Sequence, residues 1–192
     1  VREHTTIPPI PWLLVPSLGA CQEYNNDTQA LLAIQPPKPY VYTEFGAFCN
    51  DDPIAVSRCD ELQDSLLVTG FAYDRHTRLD NNYAQFCWFT HRTRGVRRGG
   101  AAAVDMAFVA AGRQDGYWER GLAPWDLAAG VALVELAGGT ISGYGGERFD
   151  LGSGRVVASG PALHPRILEV LNQVQPLPGE AFGAPEVTAM GS

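Results

Sequence analysis

The residues best able to do chemistry lie in the run Asp115 to Thr140, DGYWERGLAPWDLAAGVALVELAGGT. Asp126 falls in the first turn of an expected helix, where the helix dipole favours a carboxylate and the side chain can project past the helix end toward a cation. Seven residues earlier, Glu119 closes an expected strand, at the end of an α/β sheet where ligand-contacting groups collect. Two carboxylates and a helix start therefore converge on one rim. A second element is Arg97-Arg98-Gly99-Gly100-Ala101-Ala102-Ala103. Glycines followed by alanines at a helix N-terminus leave backbone N–H groups open to close approach by a polyol or an anion. Each feature also has a plainer reading: Asp126 as a helix cap, Glu119 as a solvated strand-end charge, and the Gly/Ala run as close helix packing.

Positioning these groups requires strands and helices in alternation. Ser65 to Gly70 reads as a buried strand, and Leu79 to Thr93 as a helix with Tyr83, Phe86, Cys87 and either Phe89 or Thr90 turned inward. Gly95 to Arg98 is a short strand, and Gly99-Gly100 opens a helix that runs to Ala111 and is closed by Gly112. Asp115 to Glu119 is the next strand, and Pro124 precedes a helix from Trp125 to Ala137 that Gly138-Gly139 ends. Thr140 to Tyr144 and Arg155 to Ser159 read as closing strands, and Pro161 to Val174 as a last helix. The alternation predicts an α/β class, a sheet flanked by helices.

The two ends of the chain differ from this middle. Seven of the 14 prolines, and the only lysine, Lys38, stand in the first 43 residues, where no period is sustained and only Asp27 to Ile34 suggests a short helix. The tail from Gln175 is rich in Pro and Gly and reads as disordered. The start shows no basic segment before its apolar patch, so a signal peptide is not expected, and no run of 18 apolar residues occurs to span a membrane.

Composition narrows the function classes. A net charge of −7 and a pI near 5.0 argue against general binding of nucleic acid or anionic membrane, because the long-range field repels phosphates. The basic run His91 to Arg98 is a local exception without an aromatic platform. Cys21, Cys49, Cys59 and Cys87 form no CxxC pair, which favours small buried hydrophobes over a zinc site and makes the cytoplasm the default location. No Walker motif occurs, and GGTISGYGG lacks the spacing of a dinucleotide-binding loop.

The run PWDLAAGVALVELAGGT resembles the C-terminal signature of the inositol monophosphatase family, with Trp-Asp, small residues, an apolar helix and then Gly-Gly. GAFCNDDPIAVS (46–57), DSLLVTGFAYDR (64–75) and VRRGGAAAVD (96–105) match the same family in order and spacing, so the resemblance runs from about residue 45 to about residue 170. It implies the C-terminal part, about 44–174, of a layered αβαβα sandwich, apparently incomplete at its N-terminus. It implies a Mg²⁺-dependent, lithium-sensitive phosphomonoesterase acting on a small phosphorylated polyol or amino alcohol: inositol monophosphate, histidinol phosphate or a sugar bisphosphate. By resemblance Asp126 is a Mg²⁺ ligand, Glu119 receives a hydrogen bond from a sugar hydroxyl, and Gly100, Ala101 and Ala102 line the substrate pocket. Relatives that carry Thr at the Ala101 position would make a side-chain contact that alanine cannot. The family's dimers imply a second copy of this chain as a partner.

The sequence departs from the family upstream. The acidic Glu-Glu segment and the Asp-Pro-x-Asp-Gly-Thr motif, which supply most of the metal ligands in that family, are not found in this chain, and residues 1–43 do not match. A reading-frame shift upstream of Phe45 would account for both the composition change and the abrupt match, with truncation the next explanation. A catalytically inactive or truncated family member is therefore a second expectation beside the active phosphatase.

Overall fold

Four short runs rich in β-branched and aromatic residues, with Thr140–Ser142 as a fifth, make the central sheet. The computed structural model describes residues 40–43 and 46–175; the helix expected at 27–34 and the tail past Gln175 lie outside them. The sheet is assembled from β4 (Leu66–Thr69), β5 (Gly95–Arg97), β6 (Gly116–Arg120), β7 (Thr140–Ser142) and β8 (Arg155–Ser159), in the order β5-β4-β6-β8-β7. β4 runs parallel to β5 and β6, while β8 is antiparallel to both β6 and β7. Asp115 helps set the register, since its carboxylate accepts the Leu66 N–H at 2.6 Å while its own N–H donates to the Leu66 carbonyl.

β6 is the middle strand, and all five of its residues are buried. Side chains alternate across it. Tyr117 packs with Val68, Met106, Leu127, Leu133 and Val134, whereas Trp118 packs with Phe89, Leu163 and Ile167. The first group brings in α2 (Ala102–Ala110) and α3 (Pro124–Leu136), and the second α1 (Tyr83–Arg92) and α4 (His164–Gln173). β2, which packs against α3, adds Ala47 to the same cluster. β2 (Gly46–Cys49) is the centre of a three-stranded antiparallel sheet with β1 (Tyr40–Thr43) and β3 (Asp52–Pro53).

The layers are thus a helix pair, the five-stranded sheet, a second helix pair and the small sheet, an arrangement consistent with the expected α/β sandwich. α3 packs against both sheets and α2 packs against α3 and the five-stranded sheet, which explains why both are apolar nearly all round, a pattern that marks a helix buried on more than one face. The two helices approach closely at Gly130, where a Cβ would stand 2.5 Å from Cε of Met106.

Two expectations need correction. The helix expected from Leu79 begins at Tyr83, and its buried residues are Ala84, Gln85 and Phe89 rather than Tyr83, Phe86, Cys87 or Thr90. Asn82 stops it from starting earlier by taking the left-handed conformation, φ 73°. Nor are the cysteines uniformly buried: Cys49 is, Cys59 is half-buried and Cys87 is exposed, all three as free thiols. β1 falls in a stretch that shows no period, and as an edge strand it sits where nearby prolines are tolerated.

Candidate functional site

Glu119 is the fourth residue of β6 and shares a face with Tyr117, two residues earlier. Its carboxylate accepts the Tyr117 hydroxyl hydrogen at 2.6 Å. It is only 9% exposed, so the reading of Glu119 as a solvated strand-end charge does not hold. Burial raises its pKa to about 7; the Tyr117 hydrogen bond and the Arg98 guanidinium pull it down, and the Asp126 carboxylate pushes it up. The carboxylate lies against Gly70, just past the end of β4, where a Cβ would collide with it.

Asp126 occupies the third position of α3 and is half-buried. One carboxylate oxygen accepts the Ala123 N–H at 3.0 Å, so the helix-capping reading is realised. The cap uses Oδ2 and does not exclude a second role for the other oxygen. The influence of Asp126 on Glu119 ties the start of α3 to the end of β6.

The Gly99-Gly100-Ala101 turn leads into α2, and Ala101, the cap residue, has no side-chain hydrogen bond to offer. Arg98 is exposed and sits close enough to Glu119 and Asp105 to favour their charged forms. Residues expected from sequence at the ends of three different elements thus fall within one electrostatic neighbourhood: Glu119 from β6, Asp126 from α3 and the turn before α2.

Other residues hold this neighbourhood in place. Asn82 donates to Thr69 Oγ1 and to the Gly70 carbonyl, both at 2.8 Å, and accepts the Trp118 indole N–H at 2.6 Å, joining the ends of β4 and β6. Arg120 is held by both oxygens of Asp74, at 2.8 and 3.1 Å, and by Asp80 at 3.3 Å; Asp80 also pairs with Arg155. These contacts anchor the 71–82 loop beside the site. Tyr117, Gly70, Asn82 and Asp105 were not singled out by sequence. The paired spacing of Tyr117 and Glu119 on one strand face was the available signal for the first, while the others depend on long-range contact.

A Mg²⁺ ion takes about six oxygen ligands in near-octahedral array. Among the described residues there is no group of three or more His, Cys, Asp or Glu side chains placed to hold a metal. Asp126 can offer a single donor, so the described residues do not make a complete Mg²⁺ site. No helix among them is long and apolar enough to cross a membrane.

Comparison with known proteins adds to this geometry. The model of the inositol monophosphatase family matches residues 33–176, so the match includes residues 33–43, which the motifs alone had left outside it. An inositol-1-monophosphatase from Synechocystis sp. is 53% identical over 129 residues, 67% of this chain and 45% of that protein. The Nus factor SuhB of Pseudomonas aeruginosa is 38% identical over 144 residues, 72% of this chain and 53% of that protein. The solved structure of an inositol monophosphatase from Anabaena (Nostoc) sp. PCC 7120 superposes with a TM-score of 0.68 at 53% identity, covering 70% of this chain and 53% of that one. The chain spans about half the length of these relatives.

Proposed function

Because this chain belongs to the inositol monophosphatase family, we propose that it serves Mg²⁺-dependent hydrolysis of a small phosphate ester, with inositol monophosphate as the first substrate to test. The observation that carries the reading is the convergence of Glu119, Asp126 and the Gly99–Ala101 turn on one rim of the sheet. A polyol hydroxyl would donate to the Glu119 carboxylate, which Tyr117 orients from behind. The open backbone at Gly100, Ala101 and Ala102 would let the ring approach, since alanine side chains leave the N-terminus of α2 unobstructed. Asp126 would give one oxygen to the metal, whose other donors must come from outside the described residues. Histidinol phosphate and sugar bisphosphates are the competing substrates, because nothing on the rim itself distinguishes a polyol from an amino alcohol.

The incomplete metal set favours a second reading, a family member that binds such an ester without turning it over. One experiment separates the two. Phosphate release from inositol 1-phosphate and from histidinol phosphate is measured with and without Mg²⁺ and Li⁺, alongside calorimetric binding of both esters. Li⁺-inhibited, Mg²⁺-dependent release supports the phosphatase. Binding with no release supports the inactive member, and neither binding nor release overturns both.

A further inference from the structure

Asp105 lies in the first turn of α2, within the apolar run AAVDMAFVA, and is 2% exposed. A carboxyl so placed is costly to ionise: burial raises its pKa to about 8, with Glu119 adding to the rise. The Arg98 guanidinium and the Gly100 backbone act in the opposite direction. The carboxylate is therefore folded back over the turn that precedes its own helix. Gly99 leaves the room, for a Cβ there would collide with Asp105 Oδ1. Gly100 bends the chain with φ +88°, a conformation that L side chains rarely adopt, and nothing stands within 4 Å of where its Cβ would be. One side of this turn is gripped by Asp105 and the other is open.

The hydrogen-bond pattern of the turn sharpens the point. Inside α2, the N–H groups of Val104 and Asp105 both donate to the Ala101 carbonyl, at 3.0 and 2.9 Å. With alanine as cap residue, no side chain at that position can order the first turn. The order must come from elsewhere, and Asp105 is the side chain that meets the turn from inside.

We propose that Asp105 is a positioning residue, whose carboxyl packs against Gly99 to grip the Gly99-Gly100 turn and so orders the open backbone of Gly100, Ala101 and Ala102 beside Glu119 for a small phosphorylated polyol. The inference rests on the functional reading above for the ligand, but not for the grip itself. It also refines the role of Gly100. That residue meets the ligand with its open α-carbon, beside which nothing stands within 4 Å of where a Cβ would be.

The test uses the full chain and three variants, D105A, D105N and G99A. The readouts are NMR hydrogen exchange at the Gly100 amide and calorimetric affinity for inositol 1-phosphate with Mg²⁺. Losing the carboxyl that packs against Gly99 should loosen the turn, speed Gly100 exchange and weaken ligand binding about tenfold in D105A. D105N keeps an acceptor oxygen and should restore both to within about threefold. G99A leaves Asp105 intact but places a methyl on its carboxylate, so it should reproduce D105A from an exposed position and carries the test if D105A fails to fold. Unchanged Gly100 exchange in G99A or D105A overturns the grip, and faster exchange with unchanged affinity overturns its role in binding. If the unsubstituted chain binds no inositol 1-phosphate, the functional reading and the binding role fall together, and Gly100 exchange alone supports or overturns the grip.

Discussion

The carboxylate of Glu119 fills the space in which a side chain on Gly70 would begin, although Gly70 follows β4 and Glu119 lies on the neighbouring β6, 49 positions away in sequence. Gly70 therefore serves the site by having no side chain. Replacing it with alanine should push the Glu119 carboxylate off the Tyr117 hydroxyl and cost about 1–3 kcal/mol, the usual range for overpacking a filled interior. The expected result for G70A is a lower denaturation midpoint together with weaker binding of inositol 1-phosphate. A variant that melts like the parent and binds like it would show that the carboxylate moves aside without loss.

Tyr117 offers a cleaner perturbation of the same group. Its hydroxyl donates to Glu119 at 2.6 Å and favours the charged carboxylate, against the effect of burial. Removing the donor in Y117F should raise the Glu119 pKa above its value of about 7. Carboxyl carbon NMR across pH 5 to 9 reads this directly, and a downward shift or no shift would contradict the assignment. The stability cost should be about 1 kcal/mol, the net value of one hydrogen bond.

Glu119 and Asp126 were legible in the sequence because each marks the end of an element that a period reveals. Asp105 was not. It interrupts a run of alanine, valine, methionine and phenylalanine, where a lone aspartate suggests the solvent-facing side of a helix, and only the fold shows that α2 has little such side. Asn82 was lost for a related reason: its left-handed backbone and its bonds to Thr69, Gly70 and Trp118 depend on strands far away in sequence. The hairpin joining β2 to β3 carries a local signal in its two-residue turn. Asn50 and Asp51 both take positive φ, 53° and 65°, as the two central residues of a type I′ hairpin must, and Asn-Asp between short apolar runs is a residue pair suited to it.

Acid should expose a different weakness. His164, the first residue of α4, is buried with its two ring nitrogens against Ser142 Oγ at 2.8 Å and Ser159 Oγ at 2.9 Å, and burial lowers its pKa below 6.5. The unfolded chain then binds this proton more readily than the folded one. The stabilising contribution is complete above pH 6.5 and disappears as pH falls through the lower folded value. Asp105 and Glu119, with raised pKa values, work in the opposite sense over the same interval, gaining stability as pH falls. The His164 share must therefore be taken as a difference: the unfolding free energy of the parent, read from urea titration, should fall relative to that of H164Q between pH 7.5 and 5. Parallel pH profiles for the two proteins would show that the imidazole takes up its proton equally in the folded and unfolded states, and would overturn the lowered value.

Asp126 combines two roles that substitution can separate. Its Oδ2 caps α3 through the Ala123 N–H, and its charge faces the positive end of the helix dipole. D126A removes cap and charge together and should cost about 1 kcal/mol, whereas D126N keeps an acceptor oxygen for Ala123 and should retain most of that stability. Mg²⁺ responds to charge and oxygen donors and binds poorly where a carboxylate has become an amide. If Asp126 is a metal ligand, both variants should lose any Mg²⁺-dependent gain in affinity for inositol 1-phosphate, although only D126A loses the cap. If D126N binds the ester with the Mg²⁺ dependence of the parent, then Asp126 is a helix cap and nothing more.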